Sequence, residues 1–161
     1  MKTLIEQLPQ DDKTDYLLDT CFFVHVFAND MIKPLEEFCE HNDVGMTTFN
    51  LGEFLLMHHK LNGHTNHHVR NFLKEKTLKR IPVPVHPGQH ELEQRFVDAY
   101  DHRILMIIRD PSDAVLFAHA VKIQADIITR DKHHIFNAAV ETYSEHHGIH
   151  IWNNFPQEET K

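Results

Sequence analysis

Short apolar runs alternate with longer amphipathic stretches along the chain, and this alternation restricts the fold more than any other feature. Runs rich in apolar and β-branched residues, typical of buried strands, lie at residues 16–18, 44–48, 127–129 and 149–152. The stretches between them carry apolar residues at helical spacing. Strands that alternate with helices form parallel sheets whose two faces the helices cover. We therefore expect an α/β fold with three layers, α/β/α, around a parallel sheet of about five strands.

The remaining strand and its surroundings carry weaker signals. Residues 81–85 are extended and contain two prolines, which indicates a strand at the edge of the sheet. The helix that contains Val69 is expected to end near residues 79–80, because their positive charges suit a helix C-terminus. Pro111 suits a first helical turn and predicts another helix. Residues 103–109 fit either the end of a helix or a strand.

The 161 residues suit a single domain, which we expect at residues 15–155, between an N-terminal extension at 1–14 and a C-terminal tail at 156–161. No fully apolar run exceeds five residues, too short to cross a membrane, and the N-terminus has no apolar signal segment. Two cysteines, Cys21 and Cys39, are too few for a disulfide framework and are expected to be buried core thiols. We therefore expect a cytoplasmic protein.

The charge of the chain limits how it could bind nucleic acid. A formal net charge of −8 argues against a protein that coats nucleic acid through a broad basic surface. An acidic site can still approach a phosphate through bound cations. Sixteen histidines make the net charge strongly dependent on pH, since half of them would be charged near pH 6.5, adding about +8.

Carboxylates lie next to the predicted strands, at the edge where parallel sheets bind their ligands. Asp19 and Asp131 follow two strands, Glu53 lies in the helix after a third, and Asp113 lies at the start of the helix that leads into residues 127–129. Each acid alone also fits a helix cap or a turn, but their occurrence at successive strand ends favours a site. Clustered carboxylates repel one another, and Mg²⁺ or a similar cation relieves that repulsion. Two such ions can activate water and stabilise a leaving oxygen in phosphoryl transfer.

Four short segments carry these acids in a characteristic order: Tyr-Leu-Leu-Asp-Thr at 16–20, Thr-Thr-Phe-Asn-Leu-Gly-Glu-Phe at 47–54, Pro-Ser-Asp-Ala-Val-Leu-Phe-Ala-His-Ala at 111–120, and Ile-Thr-Arg-Asp-Lys at 128–132. In this order the chain resembles the PIN domains, a family of metal-dependent ribonucleases, from about Tyr16 to Trp152. The resemblance implies a PIN-like fold and an acidic quartet that is both catalytic and metal-binding: Asp19, Glu53, Asp113 and Asp131. It implies one or two Mg²⁺ or Mn²⁺ ions as cofactor. The residues expected to support this site are Thr20, Asn50, Asp110 and Thr129.

The resemblance also implies partners. PIN domains of this length are often the toxins of VapBC-type toxin–antitoxin pairs, so it implies single-stranded or structured RNA as substrate, an antitoxin protein as partner and a homodimer. We expect exposed apolar residues on the helices around residues 22–38 to form the dimer or partner face. Arg109 and Arg130 flank motif acids, and each either contacts an RNA phosphate or pairs with a neighbouring carboxylate.

Three other functions are weighed against a nuclease. A PIN fold that keeps its acids could act as a binding module for a protein partner without cleaving RNA. A phosphatase of the haloacid-dehalogenase type also has an aspartate after its first strand, but it needs a second one two positions later, where this chain has Cys21. A receiver-like phospho-acceptor needs a lysine opposite its acid, whereas Lys132 is adjacent to Asp131.

The many histidines invite a transition-metal interpretation. His64 and His68, four residues apart, are the best-spaced pair, but no carboxylate or cysteine completes a tetrahedral set around them. We expect most of the histidines to be solvated. His133 and His134 follow Asp131 closely, and they either contact substrate or metal or are solvated like the others.

Overall fold

The structure, a computed structural model, describes residues 1–157. Residues 158–161, which belong to the predicted C-terminal tail, lie outside the described residues. The strands are β1 (Tyr16–Leu18), β2 (Val44–Thr47), β3 (Lys79–Ile81), β4 (Asp126–Ile128) and β5 (Ile151–Trp152). The helices are α1 (Lys2–Glu6), α2 (Thr20–Ala28), α3 (Ile32–His41), α4 (Thr48–Met57), α5 (Gly63–Lys74), α6 (His90–Asp101), α7 (Arg103–Ile107), α8 (Pro111–Ile123) and α9 (Ala138–His146).

The strands form one parallel sheet in the order β3-β2-β1-β4-β5. The chain runs outward from β1 to β3 and then returns to the other side of β1 with β4. In the resulting register Leu18 of β1 lies beside Ile128 of β4. The strand order therefore reverses between β1 and β4, and such a reversal is where open parallel sheets bind ligands.

Helices cover both faces of the sheet because successive side chains of a strand point to opposite sides. Leu17 and Ile127 belong to a core shared mainly with α6–α9, whereas Leu18 and Ile128 belong to a second core shared with α1–α5. All four side chains are fully buried. The predicted three-layer α/β/α architecture with a five-stranded parallel sheet is thereby confirmed.

Helix α8 is buried on nearly all sides. Every residue from 114 to 121 is buried, because α8 packs against α6, α7 and β4. Pro111 occupies the first turn, as predicted. The start of α8 is thus held from several directions, which makes it a firm support for side chains near residues 110–113.

The edge strand lies earlier in the chain than residues 81–85, the proline-containing segment that was predicted to form it. β3 spans Lys79–Ile81 rather than 81–85, and α5 ends at Lys74 rather than near residues 79–80. Lys79 pairs with Gly45 of β2, and its ammonium group contacts Asp11 at 2.9 Å and Asp43 at 2.8 Å. The predicted edge position is correct, since β3 is the outermost strand beside β2. Residues 103–107 form α7, which settles as helical most of the segment that fitted either the end of a helix or a strand.

The N-terminal extension packs onto the domain. Ile5 and Leu8 are buried in the core on the α1–α5 side. The backbone N–H of Arg80 donates to the carbonyl oxygen of Pro9 at 2.7 Å, and Gln10 forms a parallel bridge with Arg80. These contacts cover the outer edge of β3, which would otherwise present unpaired backbone groups.

The predicted apolar interface on the helices around residues 22–38 is wrong. Phe22, Phe23, Phe27 and Phe38 of α2 and α3 are all buried in the core on the α1–α5 side. Their rings pack edge to face, for example Phe23 against Phe27 with centroids 4.9 Å apart. The helical spacing of these residues therefore indicated a buried face and not an exposed one.

Candidate acidic site at the carboxyl edge of the sheet

Asp19 is positioned at the reversal of strand order by the pairing of β1 with β4. Its backbone N–H donates to the carbonyl oxygen of Ile128 at 3.0 Å, continuing the ladder beyond β1. The next residue of the neighbouring strand, Thr129, donates its hydroxyl to Oδ2 of Asp19 at 2.6 Å. Asp19 is only 7% exposed, and burial raises the pKa of its carboxyl group above its usual range.

Asn50 links Asp19 to Glu53. Its backbone N–H donates to Oγ1 of Thr47 at 3.0 Å, which caps α4, and its side-chain Oδ1 accepts the hydroxyl of Thr47, which fixes the side chain in the first turn of the helix. The amide Nδ2 of Asn50 lies 3.3 Å from Oδ1 of Asp19 and 3.1 Å from Oε2 of Glu53. Thr20 donates its hydroxyl to the same oxygen of Glu53 at 2.7 Å. Neutral donors therefore hold two carboxylates close together.

Asp110 and Asp113 lie at the start of α8. Asp110 caps this helix, since its Oδ1 accepts the backbone N–H of Ser112 at 2.9 Å. Asp113 lies three residues later and is half-buried. Burial and the negative charges of the nearby acids, Asp131 first among them, raise the pKa of Asp113 to about 8.

Asp131 lies in the loop after β4. Its backbone N–H donates to Oγ1 of Thr129 at 3.0 Å, and its Oδ1 accepts the backbone N–H of His133 at 2.8 Å. Its second carboxylate oxygen, Oδ2, is buried and has no hydrogen-bond partner in the described part of the chain. A buried carboxylate oxygen without a donor is costly unless something positive binds it.

All four acids of the predicted quartet line one open cavity of about 460 Å³: Asp19, Glu53, Asp113 and Asp131. Thr20, Cys21, Met57 and His134 complete its lining. Burial, with the charge of Asp19 adding to it, raises the pKa of Glu53 to about 7. For both Glu53 and Asp113 burial is the main cause of the raised pKa, and repulsion between the acids of the cavity adds to it.

The ligand atoms that line this cavity suit a divalent cation. Carboxylate oxygens are the ligands that Mg²⁺ and Mn²⁺ favour, and the unpartnered Oδ2 of Asp131 needs a positive partner. A second group lies at the same place: Asp110, Asp113 and His134 each offer one ligand atom, and these atoms all lie within 4.8 Å of one another. The acids of the cavity and this group share Asp113.

The two arginines that were predicted to contact an RNA phosphate or pair with a carboxylate lie at the surface. Arg109 is exposed and lines a small cavity with His133, His134 and Asn137, beside the acidic one. Arg130 is exposed, and its guanidinium group lies 3.4 Å from the carbonyl oxygen of Asn153. Neither arginine forms an ion pair with a described carboxylate, so the alternative in which they pair with neighbouring acids has no support.

The prediction that both cysteines are buried is wrong for Cys21. Cys39 is buried, but Cys21 is exposed at the rim of the acidic cavity, because the first turn of α2 faces it. The sulfur of Cys21 donates to Oδ2 of Asp19 at 2.9 Å. Burial of the sulfur and the adjacent charge of Asp19 raise the pKa of the thiol to about 12, so it remains a neutral donor.

Comparison with known families agrees with this architecture. The family model described as PIN domain matches residues 16–140, which is most of the chain. The chain belongs to the PIN domain family, a class of nuclease hydrolases that act with divalent metal ions. No curated protein matches it. Within residues 1–157, no helix combines the length and apolar character that a bilayer crossing requires.

Two residues have a larger part in the site than the sequence indicated. Asp110 was expected only to support the quartet, yet its carboxylate belongs to the group that could hold an ion. His134 was expected either to contact substrate or metal or to be solvated, and its place in the loop after β4 brings it to the two aspartates at the start of α8. Its position three residues after Asp131 was the one signal available.

Proposed function

We propose that this protein is an endoribonuclease that hydrolyses RNA phosphodiester bonds with Mg²⁺ or Mn²⁺. The observation that carries the proposal is the cavity at the reversal of strand order, lined by Asp19, Glu53, Asp113 and Asp131. Four acids that share one open cavity are suited to binding cations, and a cation in turn attracts the phosphate of a polyanionic substrate. The net charge of −8 is compatible with this mechanism, because the cations meet the scissile phosphate and a broad basic surface is not required.

The four acids would hold one or two ions. A bound ion would lower the pKa of an attacking water and neutralise charge on the scissile phosphate, giving a 5′-phosphate and a 3′-hydroxyl. Asp19 is the most constrained of the four, since Thr129, Cys21 and Asn50 all donate toward it. Glu53 and Asp113, which hold protons more tightly than ordinary carboxyls, would release them when the ion binds.

The supporting residues orient these acids. Thr20 and Asn50 fix one oxygen of Glu53, and Thr129 fixes one oxygen of Asp19, so the remaining oxygens can face the ion. Arg109 and Arg130 are exposed near the motif acids and are suited to bind phosphates of the RNA on either side of the cut. The open cavity favours single-stranded or looped RNA, whose backbone can bend into it.

More specifically, we propose that the protein is the toxin of a toxin–antitoxin pair. It would act as a homodimer in the cytoplasm. The two free cysteines suit a reducing compartment. Four large apolar side chains are exposed in the described residues and are available to a partner or a second copy: Leu56, Leu92, Tyr100 and Met106. An antitoxin that covers the acidic cavity would block the RNA from reaching it.

The test is cleavage of a mixed single-stranded RNA pool in the presence of Mg²⁺, Mn²⁺ or EDTA. We expect cuts with either ion, none with EDTA, and a loss of at least about 100-fold in rate for Asp113→Asn and Asp19→Asn, since each variant removes a charged ligand. Asp98→Asn, on the exposed surface of α6, is the matched control and keeps full activity. Circular dichroism checks that each variant is folded.

Two results would contradict the proposal. If Asp113→Asn, well folded, cleaves as fast as the wild type, the cavity is not the active site. If the folded wild type cleaves no RNA with any ion, the binding module without cleavage becomes the better interpretation of this PIN domain.

A further inference from the structure

We infer that His134 is a metal ligand of this site and that, together with Asp110 and Asp113, it makes the site select Mn²⁺ or a similar transition-metal ion over Mg²⁺. The inference deepens the proposed function and rests on it for the presence of a divalent ion. It concerns which ion the chain binds, and it assigns a ligand outside the acidic quartet.

The geometry is the first argument. One ligand atom from each of Asp110, Asp113 and His134 lies within 4.8 Å of the other two, and all three residues are half-buried. The two aspartates are three residues apart and share a face of α8. His134 comes from the loop after β4 and lines the cavity that contains Asp113. Two separate elements of the fold thus converge on one small volume.

The second argument is that polar groups at this site lack hydrogen-bond partners in the part of the chain that the structure describes. Asn137 donates to the backbone carbonyl of His134 at 3.1 Å, which holds the loop. Among the described residues, no hydrogen bond engages the imidazole of His134, so a ring nitrogen is available to an ion. Three residues earlier on the same loop, Oδ2 of Asp131 is buried without a partner. Asp131 and His134 line the same cavity, which therefore offers an ion both an unengaged imidazole and an unpaired carboxylate oxygen.

The chemistry of the three ligands decides which ion they favour. Mg²⁺ prefers oxygen ligands and retains its waters, so an imidazole adds little to its binding. First-row transition-metal ions accept imidazole nitrogen and bind such sites more tightly than Mg²⁺ does. A site of carboxylates alone would not separate Mg²⁺ from Mn²⁺ in this way, and the nitrogen of His134 is what distinguishes them.

Another pair of histidines could also bind a transition metal and must be controlled for. The Nε2 atoms of His64 and His68 lie 3.1 Å apart on α5, but His64 is exposed and His68 only half-buried, and no third ligand joins them within residues 1–157. This pair is the reason to use less than one equivalent of ion, so that only the tightest site is filled.

The experiment measures Mn²⁺ binding to the full chain without RNA. Electron paramagnetic resonance with half an equivalent of Mn²⁺ detects coupling to a nitrogen ligand, and calorimetry compares the affinities for Mn²⁺ and Mg²⁺. We expect nitrogen coupling in the wild type and its loss in His134→Gln. We also expect this variant to bind Mn²⁺ about tenfold more weakly and Mg²⁺ almost as before. His133→Gln, the exposed neighbour, is the matched control and should match the wild type.

The outcomes separate this inference from the proposed function. Nitrogen coupling and Mn²⁺ affinity that are unchanged in His134→Gln would overturn the inference, and RNA cleavage by the wild type would still support the nuclease. Loss of nitrogen coupling together with weaker Mn²⁺ binding in His134→Gln supports the inference, even if the wild type cleaves no RNA. Equal weakening of Mn²⁺ and Mg²⁺ would also overturn it, because His134 would then act only by holding the loop.

Discussion

At the scale of single residues, one feature of α8 is a buried histidine, His119. His119 is 5% exposed and packs near the ring of Phe96, and both nitrogens are buried without a partner in the described part of the chain. Burial, followed by the charge of Lys122, lowers the pKa of His119 to about 4. The folded protein therefore keeps this imidazole neutral at pH values where the unfolded chain binds a proton.

We expect His119→Leu to stabilise the protein, and more so in acid. The unfolded chain takes up a proton below about pH 6.5 and the folded chain only near pH 4, so the wild type loses stability as the pH falls through this window. At pH 5 the loss from this residue amounts to about 2 kcal/mol. Urea unfolding at pH 7.5 and pH 5 measures it. His146→Leu, at an exposed position of α9, should show no such gain in acid; an equal gain there would refute the assignment to His119.

At the scale of elements, a buried carboxylate joins α6 to the start of α8. Glu93 is fully buried, and its Oε1 accepts the backbone N–H of Gly88 at 2.9 Å. Its Oε2 lies 3.1 Å from Nδ1 of His90 and accepts the hydroxyl of Ser112 at 3.2 Å. Ser112 lies between the two aspartates at the start of α8, so Glu93 holds the helix end that carries them.

We expect Glu93→Ala to destabilise the protein by about 2–4 kcal/mol, because it leaves a cavity and deprives the groups that donate to this carboxylate of their acceptor. Glu93→Gln, which retains one acceptor oxygen, should cost less. Glu91→Ala on the same helix is the control, since the pair of Glu91 with Arg95 is exposed and contributes less than about 1 kcal/mol. Chemical denaturation gives all three values. If Glu93→Ala and Glu91→Ala cost the same, Glu93 does not hold the two helices together.

At the scale of the whole molecule, the acidic cavity makes stability depend on pH and on metal. The pKa of Glu53 is raised to about 7 and that of Asp113 to about 8, whereas both ionise near pH 4 in the unfolded chain. The folded state therefore binds more protons than the unfolded state across this range. These two groups therefore lower the stability of the metal-free protein as the pH rises from about 4.5 to 8, which is opposite to the effect of His119 below about pH 6.5.

We expect the melting temperature in EDTA to fall between pH 7 and pH 8.5, and Mn²⁺ or Mg²⁺ to raise it more at pH 8.5 than at pH 6. The ion competes with protons for the carboxyl groups of Glu53 and Asp113, so it binds best at pH values where these groups are already ionised. Each kcal/mol corresponds to about 2–4 °C for a domain of this size. Differential scanning fluorimetry checks this, with Asp113→Asn as the variant whose pH dependence is reduced. A larger effect of the ion at pH 6 would contradict the prediction.

Much of the fold followed from local patterns. Strand periodicity located four of the five strands to within two residues, and the helix after Pro111 begins where it was predicted. Where prediction was wrong, distant contacts decided the outcome. Lys79 lies in a strand because residues 79–81 pair with β2, and no local rule separates that placement from the end of a helix.

Exposure was harder to predict than secondary structure. The phenylalanines of α2 and α3 have the spacing of a helix face, but spacing alone does not say whether a second layer covers that face. Cys21 has the neighbours of a core residue in sequence, yet the first turn of α2 turns it toward the cavity. For the site, the four acids could be named from their places beside the strands, whereas the proximity of Asp110, Asp113 and His134 could not.

The sequence by itself determined the order of the elements and the presence of an acid beside each inner strand, because periodicity and helix starts are local properties of a few consecutive residues. The tertiary structure alone decided that β1 pairs with β4 and so brings Thr129 within 2.6 Å of Asp19 across 110 residues. Such pairings depend on loop closure and on burial of both sheet faces at once. The same long-range packing brings His134 to α8, and with it the choice of metal that we propose.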